Sequence, residues 1–217
     1  MPTPLVETFP RHAESADRKP HPGRRMTERE FLEWADEDTF AEWVDGEVVM
    51  MAPANIDHDQ FFGWLRTVVS LFVEQHELGR VFGSEVLVRL PRQRRLRQPD
   101  LLFVSQAREG MVGATRILGA PDLIMEVVSP DSVARDWREK YLDYEKAGVG
   151  EYWVIDRLGG RMEAYALSRA RKFVRIRDEQ GRVKSSVLKG FHLRTEWALG
   201  ATLPKLGPVL RELGVRI

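Results

Sequence analysis

Cysteine is absent from the 217 residues, which excludes disulfides, thiolate metal sites and cysteine nucleophiles while leaving carboxylate and imidazole chemistry open. No uninterrupted apolar run approaches the ~18 residues that a membrane-spanning helix needs, and the N-terminus has no apolar core of a secretory signal. Both features predict a cytoplasmic protein. Net charge is missing as well: 33 basic side chains balance 33 acidic ones. A whole-molecule basic field is therefore excluded, and any contact with nucleic acid must come from a local patch.

What is present is ordinary for a globular chain, with 43% hydrophobic and 30% charged residues, enough for one sizeable core. Residues 1–25 hold five prolines, scattered charges and no apolar period, and are expected to form a disordered tail. Residues 26–217 are expected to form one domain. Thr27 followed by Glu30 is a capping box for a short helix. Asp45-Gly46, between two β-rich runs, marks a hairpin. Asn55 or Asp57 can cap a longer helix reaching about His76, and Gly79 is expected to stop it. Strand-like runs follow at "RVFGSEVLVRL", "DLLFV", "DLIMEVV", "EYWVID", "RMEAYAL" and "KFVRIR", with a helix inserted over 132–147. Asp131 or Ser132 can cap that helix and Gly148 can end it. The order of elements predicts an α/β fold with a mixed central sheet flanked by helices.

In "PDLIMEVVSP" one carboxylate, Glu126, stands among five apolar residues. Strand alternation puts Ile124, Glu126 and Val128 on one face and Leu123, Met125 and Val127 on the other, so neither face is solvated. A buried carboxylate costs several kcal/mol unless it is paired, protonated or bound to a cation. An arginine would satisfy it; so would a shared metal site. Asp100 opens another apolar strand in "RQPDLLFV", and two acids at the ends of neighbouring strands form a hard-oxygen site of the kind Mg²⁺ accepts.

In the 132–147 helix, Trp137, Tyr141 and Tyr144 form an apolar stripe with Lys140 on its border. Spacing leaves Lys140 two roles: a surface lysine paired to Asp136 one turn back, or a cation reaching the two acids. Two acids and a lysine are what phosphodiester hydrolysis requires.

"VDGEVVMMAPANIDHDQ", "QPDLLFV", "PDLIMEVVSP" and "DWREKYLDYEKAGVGEYWVID", in that order, resemble the Uma-two family of restriction endonucleases within the PD-(D/E)XK nuclease superfamily. The resemblance spans about Thr27 to Leu167. It implies a restriction-endonuclease-like fold and a metal-dependent endonuclease acting on DNA, with Asp100 and Glu126 binding Mg²⁺ or Mn²⁺. The superfamily's usual lysine two positions after the glutamate is Val128 here, and the resemblance assigns its role to Lys140. It also brings Glu47, after the hairpin turn, and His58, in the first turn of the long helix, toward the acids as secondary candidates, and it implies a homodimer. Arg92, Arg94, Arg95 and Arg97 lead directly into Asp100 and are expected either to form a solvated loop or to hold nucleic-acid phosphates. Two other functions fit the same residues: an idle member of the fold that binds nucleic acid or protein, and a hydrolase of smaller phosphoesters.

Overall fold

The computed structural model describes residues 25–216 apart from 37, 53, 54 and 131. The tail expected over 1–25 and the cap expected at Asp131 therefore lie outside the described residues, except for Arg25. Helix α1, Glu28–Trp34, begins with the expected capping box: the Thr27 side chain accepts from Glu30 N while the Glu30 carboxylate accepts from Thr27 N. Strands β1, Ala41–Val44, and β2, Glu47–Met50, pair antiparallel across Asp45-Gly46. Both turn residues have positive φ, 51° and 97°, which matches the right-handed twist of the flanking strands.

Asn55 rather than Asp57 caps α2, Ile56–Gln75, accepting from His58 N at 2.8 Å. Chain reversal after α2 begins with Glu77 at φ 51°, and Gly79 already belongs to the next strand. A Cβ at Gly79 would lie 2.2 Å from the Val104 carbonyl, so the glycine serves close strand approach there as well as a φ of +148°.

Six strands form the main sheet, in the order β11-β10-β9-β8-β6-β3. Their ranges are β3 Gly79–Phe82, β6 Leu101–Ser105, β8 Leu123–Val127, β9 Glu151–Asp156, β10 Arg161–Leu167 and β11 Phe173–Arg175. β8 runs antiparallel to β6 and parallel to β9, so the sheet is mixed, as the element order predicts. A second sheet joins β1 and β2 to β4 Leu87–Leu90, β5 Arg95–Arg97 and β7 Arg116–Leu118, in the order β2-β1-β5-β4-β7. The run "RVFGSEVLVRL" thus splits between sheets as β3 and β4, turning at Gly83, whose carbonyl accepts from Val86 N.

β8 is buried throughout and its alternation is as expected. Leu123, Met125 and Val127 pack with Phe61, Leu65 and Val68 of α2, while Ile124 and Val128 face a cluster containing Tyr144 and Tyr152. Glu126 therefore points toward the helical stretch over 133–147. That stretch starts as α-helix, winds as a π-helix over Arg135–Lys140, and returns to α-helix as α3, Tyr141–Ala147. Gly148 closes it at φ 91°. π-Turns are rare and concentrate at functional sites.

Candidate active site

Asp100 precedes β6, where Leu101 pairs with Met125 of β8, so the register sets Asp100 beside Glu126. Two hydrogen bonds lock the acids to each other's strands: Asp100 N donates to Glu126 Oε2 at 3.3 Å, and Val127 N donates to Asp100 Oδ2 at 2.7 Å. Glu126 is 1% exposed, whereas Asp100 opens into a cleft of about 460 Å³ whose lining includes Phe40, His58, Asp100, Glu126, Asp136 and Lys140. The other "PD", at Asp122, lies at the far end of β8 and is structural: its carboxylate accepts from Ser105 N and from Arg108.

Lys140 resolves its two alternatives by doing both jobs while buried. Its Nζ is 2.9 Å from Glu126 Oε2, 3.3 Å from Asp136 Oδ1 and 3.6 Å from Glu42 Oε1. Residues 136 and 140 both point inward from the π-wound stretch, and the Asp136 carbonyl accepts from the buried Tyr152 hydroxyl at 2.8 Å. Ser132 and Asp136 bond through their side chains, fixing the start of the stretch.

Glu42 and Tyr144 complete the centre and were not selected by the sequence argument. Glu42, fully buried on β1, accepts from Arg97 at 2.7 Å and from Gln98 N at 3.0 Å. The Tyr144 hydroxyl donates to Glu126 Oε1 at 2.9 Å. The signal for Glu42 was available: it sits between Ala41 and Trp43, both apolar, just as Glu126 sits between Met125 and Val127.

Three carboxyls, from Glu42, Glu126 and Asp136, thus contact one ammonium, and the charge of Asp100 acts on it as well. Burial would drive Lys140 toward neutrality, but Glu126, Asp136, Glu42 and Asp100 raise its pKa above the ordinary lysine value. Glu126 is pushed up to about 8: burial is the largest cause, Lys140 opposes it, and the charges of Asp100 and Asp136 add to it. One shared ammonium does not offset burial plus two neighbouring acids. Glu42 goes the other way, because Lys140 and Arg97 together overcome its burial and hold its carboxyl below the usual range.

His58 stands at the same centre. Its Nε2 lies 3.0 Å from the Val127 carbonyl and 3.5 Å from Asp100 Oδ2, while Nδ1 is buried without a hydrogen-bond partner. Burial lowers its pKa, but the hydrogen bond and charge of Asp100 outweigh that and leave it raised.

The remaining candidates are not among the residues that line the cleft. Glu47 is exposed on the edge strand β2 and paired with Arg25 at 3.2 Å; the register sets it opposite Val44, on the same face as Glu42 but at the turn end of the hairpin. Arg97 is a correction to the expected phosphate contact: it is 1% exposed and spends its guanidinium on Glu42 and Asp143. Arg95 also pairs with Asp143, at 3.0 Å, and Arg94 with Asp45, at 3.1 Å. Arg92 is exposed on a 3₁₀ turn, Pro91–Gln93.

The acids offer hard oxygen donors in negative excess, the donor chemistry of Mg²⁺ and Mn²⁺. Among the described residues no group of three or more His, Asp or Glu side chains converges to enclose a metal ion. The Asp100–Glu126 pair instead suits an ion that keeps waters and takes substrate oxygens.

Comparison with solved structures shows similarity to a protein from Anabaena variabilis described as a "putative nuclease belonging to DUF820". The match has 19% sequence identity and a TM-score of 0.66, and covers 79% of this chain and 96% of the other, which shows the shared fold. No curated protein matches. The model of the Uma2 (Uma-two) family, described as "Putative restriction endonuclease", matches residues 29–196. That span takes in β1, the Asp100–Glu126 pair and the whole π-wound helix, and the chain belongs to the Uma2 family.

Proposed function

We propose that the protein is a metal-dependent endonuclease that hydrolyses phosphodiester bonds in DNA. The observation that carries the reading is the placement of Lys140 Nζ 2.9 Å from Glu126, on strands and a helix that also bring Asp100 to the cleft. Family membership supports nuclease chemistry; metal and DNA are our extension of it.

Asp100 and Glu126 would hold the ion, and Mg²⁺ or Mn²⁺ there would supply positive charge at the phosphate and acidity to a water. Lys140 remains protonated among three acids, so it acts by charge and hydrogen bonding, orienting the nucleophile and offsetting charge that develops on phosphate oxygens. Glu42, pinned by Arg97 and Gln98 N, positions that ammonium from the second sheet. Tyr144 fixes the Glu126 carboxylate through Oε1 and leaves Oε2 toward Lys140 and Asp100. With Nε2 donating to the Val127 carbonyl, His58 buttresses the strand end that carries the acids. A homodimer would supply the two sites that double-strand cleavage calls for. A sedimentation coefficient of a monomer at micromolar concentration, with cutting intact, would remove that part.

The direct test incubates wild type and Asp100→Ala with plasmid, single-stranded DNA and RNA in Mg²⁺, Mn²⁺ or EDTA. DNA cleavage by wild type with either metal, lost in EDTA and in Asp100→Ala, is the expected result. Cleavage that survives in EDTA, or equal cleavage by both proteins, overturns the proposal.

A further inference from the structure

The cleft has a second wall. Besides the acids, its lining holds Phe40, Met51 and Ala52, with Phe40 50% exposed. Phe40 and Met51 are neighbours across the end of the hairpin, since Met51 N donates to the Phe40 carbonyl at 2.9 Å. Arg135 lies against the same wall, its Nη1 3.6 Å from Met51 Sδ and its Nε buried without a hydrogen-bond partner. Gln98, 7% exposed, lines the cleft too and has a buried amide oxygen with no partner. An exposed aromatic face and an unsatisfied amide thus line one cavity of about 460 Å³, and the Arg135 guanidinium rests against Met51 of that lining.

We infer that this wall is a subsite for one unpaired nucleotide of a DNA strand, next to the phosphate addressed by the acids. The inference rests on the nuclease reading above and narrows its substrate to single-stranded or splayed DNA. A base inside a duplex keeps both faces stacked and shows only its groove edges, so the Phe40 face has nothing to contact there. An unstacked base offers a π-face to Phe40 and an edge to Gln98, while its flanking phosphate meets Arg135. The cavity is of single-nucleotide scale, and the arginine run that could have tracked a duplex backbone is largely committed to Asp45, Asp143 and Glu42.

The test is binding without turnover, by fluorescence anisotropy in EDTA, with a labelled 12-nucleotide single strand and the blunt duplex of the same sequence. Wild type should bind the single strand at least about tenfold more tightly than the duplex. Phe40→Ala, at a half-exposed position, should keep its melting temperature and lose about tenfold in single-strand affinity, the scale of one base–aromatic stack, with duplex affinity unchanged. Arg135→Gln should reduce the slope of log affinity against log salt by about 0.7, one phosphate contact on a single strand. Equal affinity for the two DNAs, no binding of either, or a single-strand affinity indifferent to Phe40→Ala overturns the subsite. Selective single-strand binding without cleavage in Mg²⁺ or Mn²⁺ leaves the subsite standing and removes the nuclease reading instead.

Discussion

Lys140 Nζ stands 2.9 Å from Glu126 Oε2, and the two side chains are only 2% and 1% exposed. An ion pair so enclosed is held by its surroundings as much as by mutual attraction, because each charge has given up its water. The surroundings are Glu42 and Asp136 on the lysine and Tyr144 on the glutamate.

Lys140→Met should abolish cleavage, by orders of magnitude, and should also cost about 3–5 kcal/mol of stability by leaving buried acids without their cation. Protonation of Glu126 can relieve part of that cost, so the variant should recover stability toward acid pH. Lys146→Met, at an exposed position of α3, should change neither property appreciably. Urea unfolding and plasmid cleavage on both variants decide the matter; cleavage by Lys140→Met at the wild-type rate removes Lys140 from the chemistry.

Mg²⁺ or Mn²⁺ should raise the melting temperature of wild type but not of Asp100→Ala, since an ion that binds only the folded state stabilises it in proportion to the logarithm of its concentration over Kd. Differential scanning fluorimetry across a metal titration measures both. Equal shifts in the two proteins would place the ion elsewhere.

Without metal, stability should fall as pH rises from about 5 to 8. Glu126 has its carboxyl pushed up to about 8 by burial, against Lys140 and with Asp100 and Asp136. A carboxyl raised in the folded state favours folding fully below its unfolded value, near 4.5, and loses that contribution as pH climbs through its folded value. Asp136, also raised by burial, adds to the same trend, whereas Glu42, held low by Lys140 and Arg97, contributes its pH dependence only below its unfolded value near 4.5, outside this window. Glu126→Gln should flatten the slope of melting temperature against pH in EDTA; an unchanged slope would assign it to other groups.

Glu42→Ala should destabilise the protein by about 3–5 kcal/mol, because Arg97 and Lys140 each lose a buried counter-charge. Glu42→Gln keeps the acceptor for Gln98 N and should fold better, yet release Lys140 enough to lower kcat. Glu47→Gln, on the exposed hairpin edge, should stay within about 0.5 kcal/mol of wild type. Denaturant midpoints for the three variants separate these outcomes.

Much of this centre is legible in the chain because a charged residue in an apolar run demands an explanation. Asp100, Glu126 and Lys140 come together as the family resemblance implies, where spacing alone left Lys140 two roles, and the capping box, hairpin turn and Gly148 stop follow from local chemistry that tertiary packing leaves intact. What local chemistry does not contain is the approach of one sheet to another. Glu42 enters through β1 of the second sheet, and its partner Arg97 looks, in the sequence, like one more arginine of a basic run. Strand alternation in β5 carries Arg95 and Arg97 to the same acid, Asp143, and turns half of that run from a phosphate cradle into internal counter-charge. Asp136 was legible only as a surface partner of Lys140, because regular helical winding gives no hint of the π-wound stretch that takes both residues inside.

That stretch makes the centre sensitive to length as well as to composition. A π-turn holds one residue more than the α-turn it replaces, and each residue of an α-helix advances the winding by about 100°. Deleting a single exposed position such as Arg138 would let Arg135–Lys140 relax to ordinary winding, with the helix still continuous. Lys140 would then follow Asp136 by three residues instead of four, about 300° of α-winding, so the two could not both keep their present inward directions while Glu42, Asp100 and Glu126 stayed in place. The geometry of the cleft therefore depends on the length of this stretch, and a one-codon deletion can disturb it without any substitution among the residues that meet there.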